Sequence, residues 1–253
     1  MTAFHLKLLI TPLLMLSISL AAKRWGTHIG GLLSGLPVTS ASIMLFLGLE
    51  QGPTFVGAAA PGALAGVAAI QAAYLFYFAV SARTSVVGGC VLALGVYALV
   101  AWLMNRWAGP MAAVAITLFL VAMIVSITAP VRNPGTGRYV PTPRWIIPMR
   151  MLTATALLLA ITATAQWAGP VVSGFLAPIP VIAWPLAVFA HVQGGRHELA
   201  AIVRGNAIGA IGVIGFYLTL QALVLQWGVV LTVGAGVVLA VALTAFVAKV
   251  APK

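Results

Sequence analysis

Carboxylates are almost missing from this sequence: Glu50 and Glu198 are the only acids among 253 residues, and charged residues of both signs make up 6%. So few charges cannot cover a surface that faces water, whereas the 62% of hydrophobic residues can meet lipid on every side. Two acids also exclude a carboxylate-rich metal site, and they leave two candidates for coupling to an ion. Cysteine is nearly absent as well. Cys90 stands alone inside an apolar run, which excludes an intrachain disulfide and a thiolate metal site and makes it a small buried hydrophobe. There is no Gly-rich phosphate loop, nucleophile elbow or dinucleotide turn. No enzymatic activity, metal, cofactor or ATP-driven pumping by this chain alone is expected.

Alternation of apolar and polar residues over about ten positions, the mark of a membrane barrel strand, is lacking too. Residues 111–127 are apolar on every face instead, so the expected fold is all-α and integral to a membrane. The thirteen Lys and Arg give a net charge of +11, but they stand singly at the ends of apolar segments. Lipid headgroups and membrane orientation account for them, and nucleic acid is not an expected partner.

A hydrocarbon core about 30 Å thick takes roughly 20 residues per helix. The apolar runs give nine candidate spans, at 4–22, 29–49, 54–80, 86–104, 111–129, 146–165, 171–192, 199–225 and 229–247. The breaks near Ala82 and Gly109 decide the parity of that count. The first run is read as a retained span rather than a cleaved leader, because 146–165 resembles it at the corresponding place in the second half. With the N-terminus outside and the C-terminus cytoplasmic, most of the Lys and Arg fall on the inner side of a bacterial inner membrane, leaving Lys7 and Arg106 near the outer side. Trp25, Trp107, Trp145, Trp167 and Trp227 fall at span ends, where an indole keeps its ring in lipid and its N–H among headgroups.

Residues 30–38, GGLLSGLPV, and 173–181, SGFLAPIPV, align without a gap, Pro37 against Pro180, at an offset of 143. The register continues through Phe46 and Phe189, Gly52 and Gly195, Gly62 and Gly205, Gly66 and Gly209, and Tyr74 and Tyr217. Spans one to four map onto six to nine, with the fifth as a connector. The expected organisation is a first repeat at 1–106, a connecting helix and basic loop at 107–145, and a second repeat at 146–253. An odd number of spans separates the copies, so the second is inverted, as in many secondary transporters. A symmetric bundle without transport is the competing reading.

Spans two and seven are interrupted at matched places, by Pro37 in one and by Pro178, Pro180 and Pro185 in the other. Irregular backbone inside a membrane is tolerated where it is buried in protein or lines a wet cavity, so the candidate site lies there. Thr39, Ser40 and Ser42 follow Pro37 and offer hydroxyls to freed backbone or to a solute. Trp184 lies between two of the second set of prolines, either stacking on a ligand or packing the core. Helix starts at Pro37 and Pro180 would aim positive dipole ends inward and favour an anionic group. Gln71, Tyr74, Tyr217, Arg204 and Asn206 are candidates to line the same space, or to bond between helices. Glu50 is a candidate proton site or gate, and the register sets Gln193 opposite it, with His191 one turn nearer the interior. Glu198, beside Arg196 and His197, is read as an interfacial helix-start charge.

The stretch KRWGTHIGGLLSGLPVTSASIMLFLGLEQG, followed by AAYLFYF, resembles the small GlpM-type membrane proteins: a basic residue before a Gly-rich start, a proline in the second span, then G-x-E-x-G. The resemblance covers roughly the first hundred residues and recurs, worn, in the second half, where Gln193 replaces the acid. It implies a fused duplication of a four-span inner-membrane unit, of a type associated with polysaccharide production. The expected function is secondary transport of a small, anionic solute by alternating access. The alternatives are a non-transporting subunit of an envelope-polymer system, with a membrane partner or a second copy, and a flippase of a lipid-linked intermediate.

Overall fold

The computed structural model describes residues 35–129, 145–179 and 183–250, and nine positions between His5 and Arg24, all of them helical; Ile146, Arg150 and Gln193 are described by their backbone alone. Among these residues helix makes up 92% and no strand occurs. After the N-terminal helical positions come α1 (Val38–Gln51), α2 (Pro53–Val80), α3 (Val86–Trp107), α4 (Pro110–Thr128), α5 (Ile146–Leu176), α6 (Ala183–Trp227) and α7 (Val229–Val250). Six helices among the described residues are long and apolar enough to cross a membrane. Val38–Gln51 and Ala183–Val192 are shorter apolar helices.

Local chemistry sets the helix ends. Gly52 (φ 90°), Gly169 (φ 79°), Gly195 (φ 65°) and Gly228 (φ 73°) adopt backbone that a Cβ resists. Proline follows Gly52 and Gly169 at the first position of the next helical segment, where its missing N–H costs nothing. The left-handed glycines divide α5 at Gly169 and α6 at Gly195, so each is two segments in sequence. Both breaks that decide the span count separate helices. Residues 81–85 divide α2 from α3, with Ser85 Oγ accepting from Gly88 N at 3.2 Å as an N-cap, and Ala108 and Gly109 divide α3 from α4.

The two longest unbroken segments, α2 and the part of α6 after Gly195, are largely buried, while α3, α4 and α7 expose most of their surface. What they expose is apolar: Leu94, Trp102, Phe119, Leu231, Val238 and Phe246 all face outward. In water such a surface would drive aggregation, and in a bilayer it is the surface that meets acyl chains. Trp107, Trp145, Trp167 and Trp227 are exposed at or near helix ends.

Helices without a hydrophobic drive between them associate through small residues that let backbones approach. A Cβ on Gly66 of α2 would stand 2.7 Å from Phe175 O and from Pro178 Cγ. One on Gly209 of α6 would stand 2.5 Å from Gly35 Cα. Arg204 is buried, and its guanidinium donates to Val125 O in the last turn of α4 at 2.7 Å, placing a cation on the negative end of that helix.

Candidate functional site

The chain is non-helical at Leu36 and Pro37, and α1 starts at Val38 with no side chain capping it. Proline has no N–H to give to a preceding turn, so a helix resumes after it more readily than it continues through it. The second interruption lies at Ala177–Ile179, between the end of α5 and the start of α6; Pro180 itself is outside the described residues.

The two interruptions line one cavity of about 50 Å³, in which Pro37, Thr39 and Ser40 face Pro178, and Gln71 of α2 faces Asn206 of α6. Gln71 and Asn206 are bonded to each other, Nε2 to Oδ1, at 3.3 Å. Ser40 Oγ donates to Ala177 O at 3.4 Å, so a hydroxyl from one interruption reaches a carbonyl released at the other. The volume is several times the roughly 10–15 Å³ that a single water requires, which admits a small polar group. Gln71 Oε1, buried with the residue 2% exposed, has no hydrogen-bond partner among the described residues. An orphaned buried acceptor costs about 1–3 kcal/mol unless water or a solute meets it.

Trp184 packs on two tyrosines of α2, with ring centroids 5.2 Å from Tyr74 and 5.5 Å from Tyr77. Tyr77 Oη lies 2.9 Å from His191 Nδ1, with the two rings edge to face. Trp184 is therefore both core packing on one side and, on the other, wall of an apolar pocket. The hydroxyls of Tyr74 and Tyr217 are buried without hydrogen-bond partners among the described residues, Tyr217 beside Ser40. These two tyrosines stand 143 residues apart, the offset of the expected repeat, and both are fully buried.

Away from the cavity, Glu50 forms an ion pair with Lys7 at 2.5 Å, the two side chains being 26% and 6% exposed. Lys7 Nζ also donates to Thr162 Oγ1 of α5 at 2.8 Å and lies 5.8 Å from the centroid of the Phe46 ring. Three elements thus converge on one ammonium. Glu198 is buried in the first turn after Gly195, folded over Gly194, a helix-start position as its sequence suggests.

Of the predicted site residues, the structure brings Pro37, Thr39, Ser40, Gln71 and Asn206 together around the cavity, and Tyr74, Trp184 and His191 into the adjoining aromatic cluster. Ser42 is apart from them: its hydroxyl bonds Val38 O of its own helix at 3.0 Å. Arg204 serves α4, as above. Gln193 is described by backbone only, so its side chain takes no part here. Lys7 and Tyr77 were not among the candidates, although the aromatic run around Tyr77 and the single base inside the first apolar run are visible in the sequence. The chain matches no family model, no curated protein and no solved structure at a significant level.

Proposed function

We propose that this protein is a secondary transporter of a small anionic solute, built of nine spans as two inverted four-helix halves. The observation that carries the reading is a pair of exchanged contacts. Gly66 packs on Pro178 and Gly209 packs on Gly35. Adding the 143-residue offset to Gly66 gives Gly209, and adding it to Gly35 gives Pro178, so each contact is the other with the halves interchanged. The same offset carries α3 (Val86–Trp107) onto α7 (Val229–Val250) at both ends, and the left-handed Gly52 onto the left-handed Gly195.

The sense of the halves is supported by the order of contacts. Lys7, early in the chain, bonds Thr162, late in the helix that matches the first one, as two antiparallel copies would. Along α2, Gly62, Gly66 and Tyr74 meet Val171, Pro178 and Trp184 in ascending order, so α2 runs with the second interrupted span. The first interrupted span starts level with Gln71 and returns through Gly52 into α2, which gives it the opposite direction. Inverted halves meeting at two broken spans, with a polar cavity between, have the parts needed for alternating access.

The Lys and Arg bias supports an N-terminus outside and a C-terminus in the cytoplasm of an inner membrane, and the resemblance to the GlpM-type unit supports a fused duplication. Glu50 with Lys7 gates one end of the axis. His191 with Tyr77 stands towards the other, where Gln193 takes the place of the acid. Uptake of organic acids into proteoliposomes under an imposed proton gradient tests the reading. Saturable flux that Glu50→Gln reduces is expected; no saturable flux, with no effect of that substitution, removes the support.

A further inference from the structure

The polar cavity has a larger neighbour. Ile70 and Ile179 line it and also line a second cavity of about 240 Å³. This second space is apolar, walled by Ala73, Tyr97, Trp184 and Pro185, with the exposed Leu94 and Thr153 at its rim. Thr153 adds little polarity, because its hydroxyl is bound to Met149 O at 2.7 Å. Neither of the chain's two acids lines either space.

We propose that the two cavities form one binding site for a small amphipathic carboxylic acid, its carboxylate in the polar cavity and its apolar body against Trp184; this deepens the transport reading and rests on it. Size separates the two ends of the ligand. An apolar cavity of about 150 Å³ takes a benzene ring, so the larger space holds a ring with a short link, or a short alkyl chain. The smaller space holds a carboxylate and is too small for a sugar.

Charge and hydrogen bonding then select the head group. The N-terminus of α1, 14 residues long and without a side-chain cap, opens into the polar cavity at Pro37, Thr39 and Ser40, and presents the positive end of its dipole there. Gln71 independently points to a ligand, being buried in the wall with an amide oxygen that has no partner among the described residues. Turning over the Gln71 and Asn206 amides together keeps their mutual bond and presents an N–H in place of that oxygen, which suits an anion. A cation would find no acid in either wall.

The test is a titration of the purified full chain in micelles, following tryptophan fluorescence. Phenylacetate and decanoate are the probes, with acetate and toluene as the two half-ligands. Phenylacetate or decanoate is expected to bind saturably and at least about tenfold more tightly than either half-ligand. The tighter of the two identifies an aromatic or a lipid-derived acid, and both results support the site. Trp184→Phe should abolish the fluorescence change, and Gln71→Leu should weaken the acid about tenfold while leaving toluene unaffected. If either variant fails to fold, Ser40→Ala should weaken the acid and Ala73→Leu should exclude toluene. Acetate binding as tightly as the longer acids, or acid binding insensitive to Gln71→Leu, overturns the proposal. Tight acid binding without flux in proteoliposomes overturns transport and leaves the site standing. Flux of acetate with no preference for the longer acids does the reverse.

Discussion

Lys7 and Glu50 pair a buried ammonium with a partly exposed carboxylate. A buried ammonium is tolerated where a counter-ion and further acceptors meet it, and Lys7 has both in Glu50 and Thr162. The partners differ in exposure, and so in what each loses when left alone. Glu50→Gln leaves a buried ammonium with an amide and is expected to cost about 3 kcal/mol. Lys7→Met leaves a carboxylate that is partly exposed and should cost less. Unfolding of the two single variants and the double variant in micelles measures this, and the double variant should recover part of the larger loss. The tyrosines give a second contrast. Tyr77→Phe removes the contact with His191 and should cost about 1 kcal/mol, while Tyr74→Phe and Tyr217→Phe remove hydroxyls that have no partner and should leave stability unchanged. A fall in solute flux in the latter two variants, without loss of stability, would assign those hydroxyls to the solute.

Among the elements, glycines fix both the turns and the crossings. Gly195→Ala forces a Cβ into left-handed backbone and should cost about 1–2 kcal/mol, and Gly52→Ala should cost a similar amount if the halves are equivalent. Gly209→Val places side-chain atoms against the backbone of Gly35, so it should separate the two helices and lower stability more than Gly195→Ala does. Melting of the three variants ranks these costs. The sequence announced these elements well, because Gly, Pro and the polar residues at 81–85 punctuate an otherwise continuous apolar chain. A helix starts directly after Pro37, where a break was expected, and Ser40, Gln71 and Asn206 line one cavity. What could not be read was which face of each helix turns inward, since helices that are apolar all round carry little periodicity. Ser42 looked like Ser40 for that reason, yet bonds its own helix. Lys7 looked interfacial because nothing in its own helix reveals that Glu50 and Thr162 approach it from two other elements.

At the scale of the whole molecule, the surface and the core divide the work. The outer helices present apolar side chains to lipid, and the buried α2 and α6 carry the cavity residues Gln71 and Asn206 at their meeting point. In the proposed transporter the halves containing these helices are inserted in opposite senses. Glu50 and Gln193 are 143 residues apart, each two residues before a left-handed glycine, Gly52 and Gly195. Labelling with a membrane-impermeant thiol reagent, on Glu50→Cys and Gln193→Cys introduced singly into a Cys90→Ala chain, reads their sides directly. With the halves inverted, Glu50→Cys is labelled from outside intact cells and Gln193→Cys only from the cytoplasmic face of inverted vesicles. Labelling of both from the same face would contradict it.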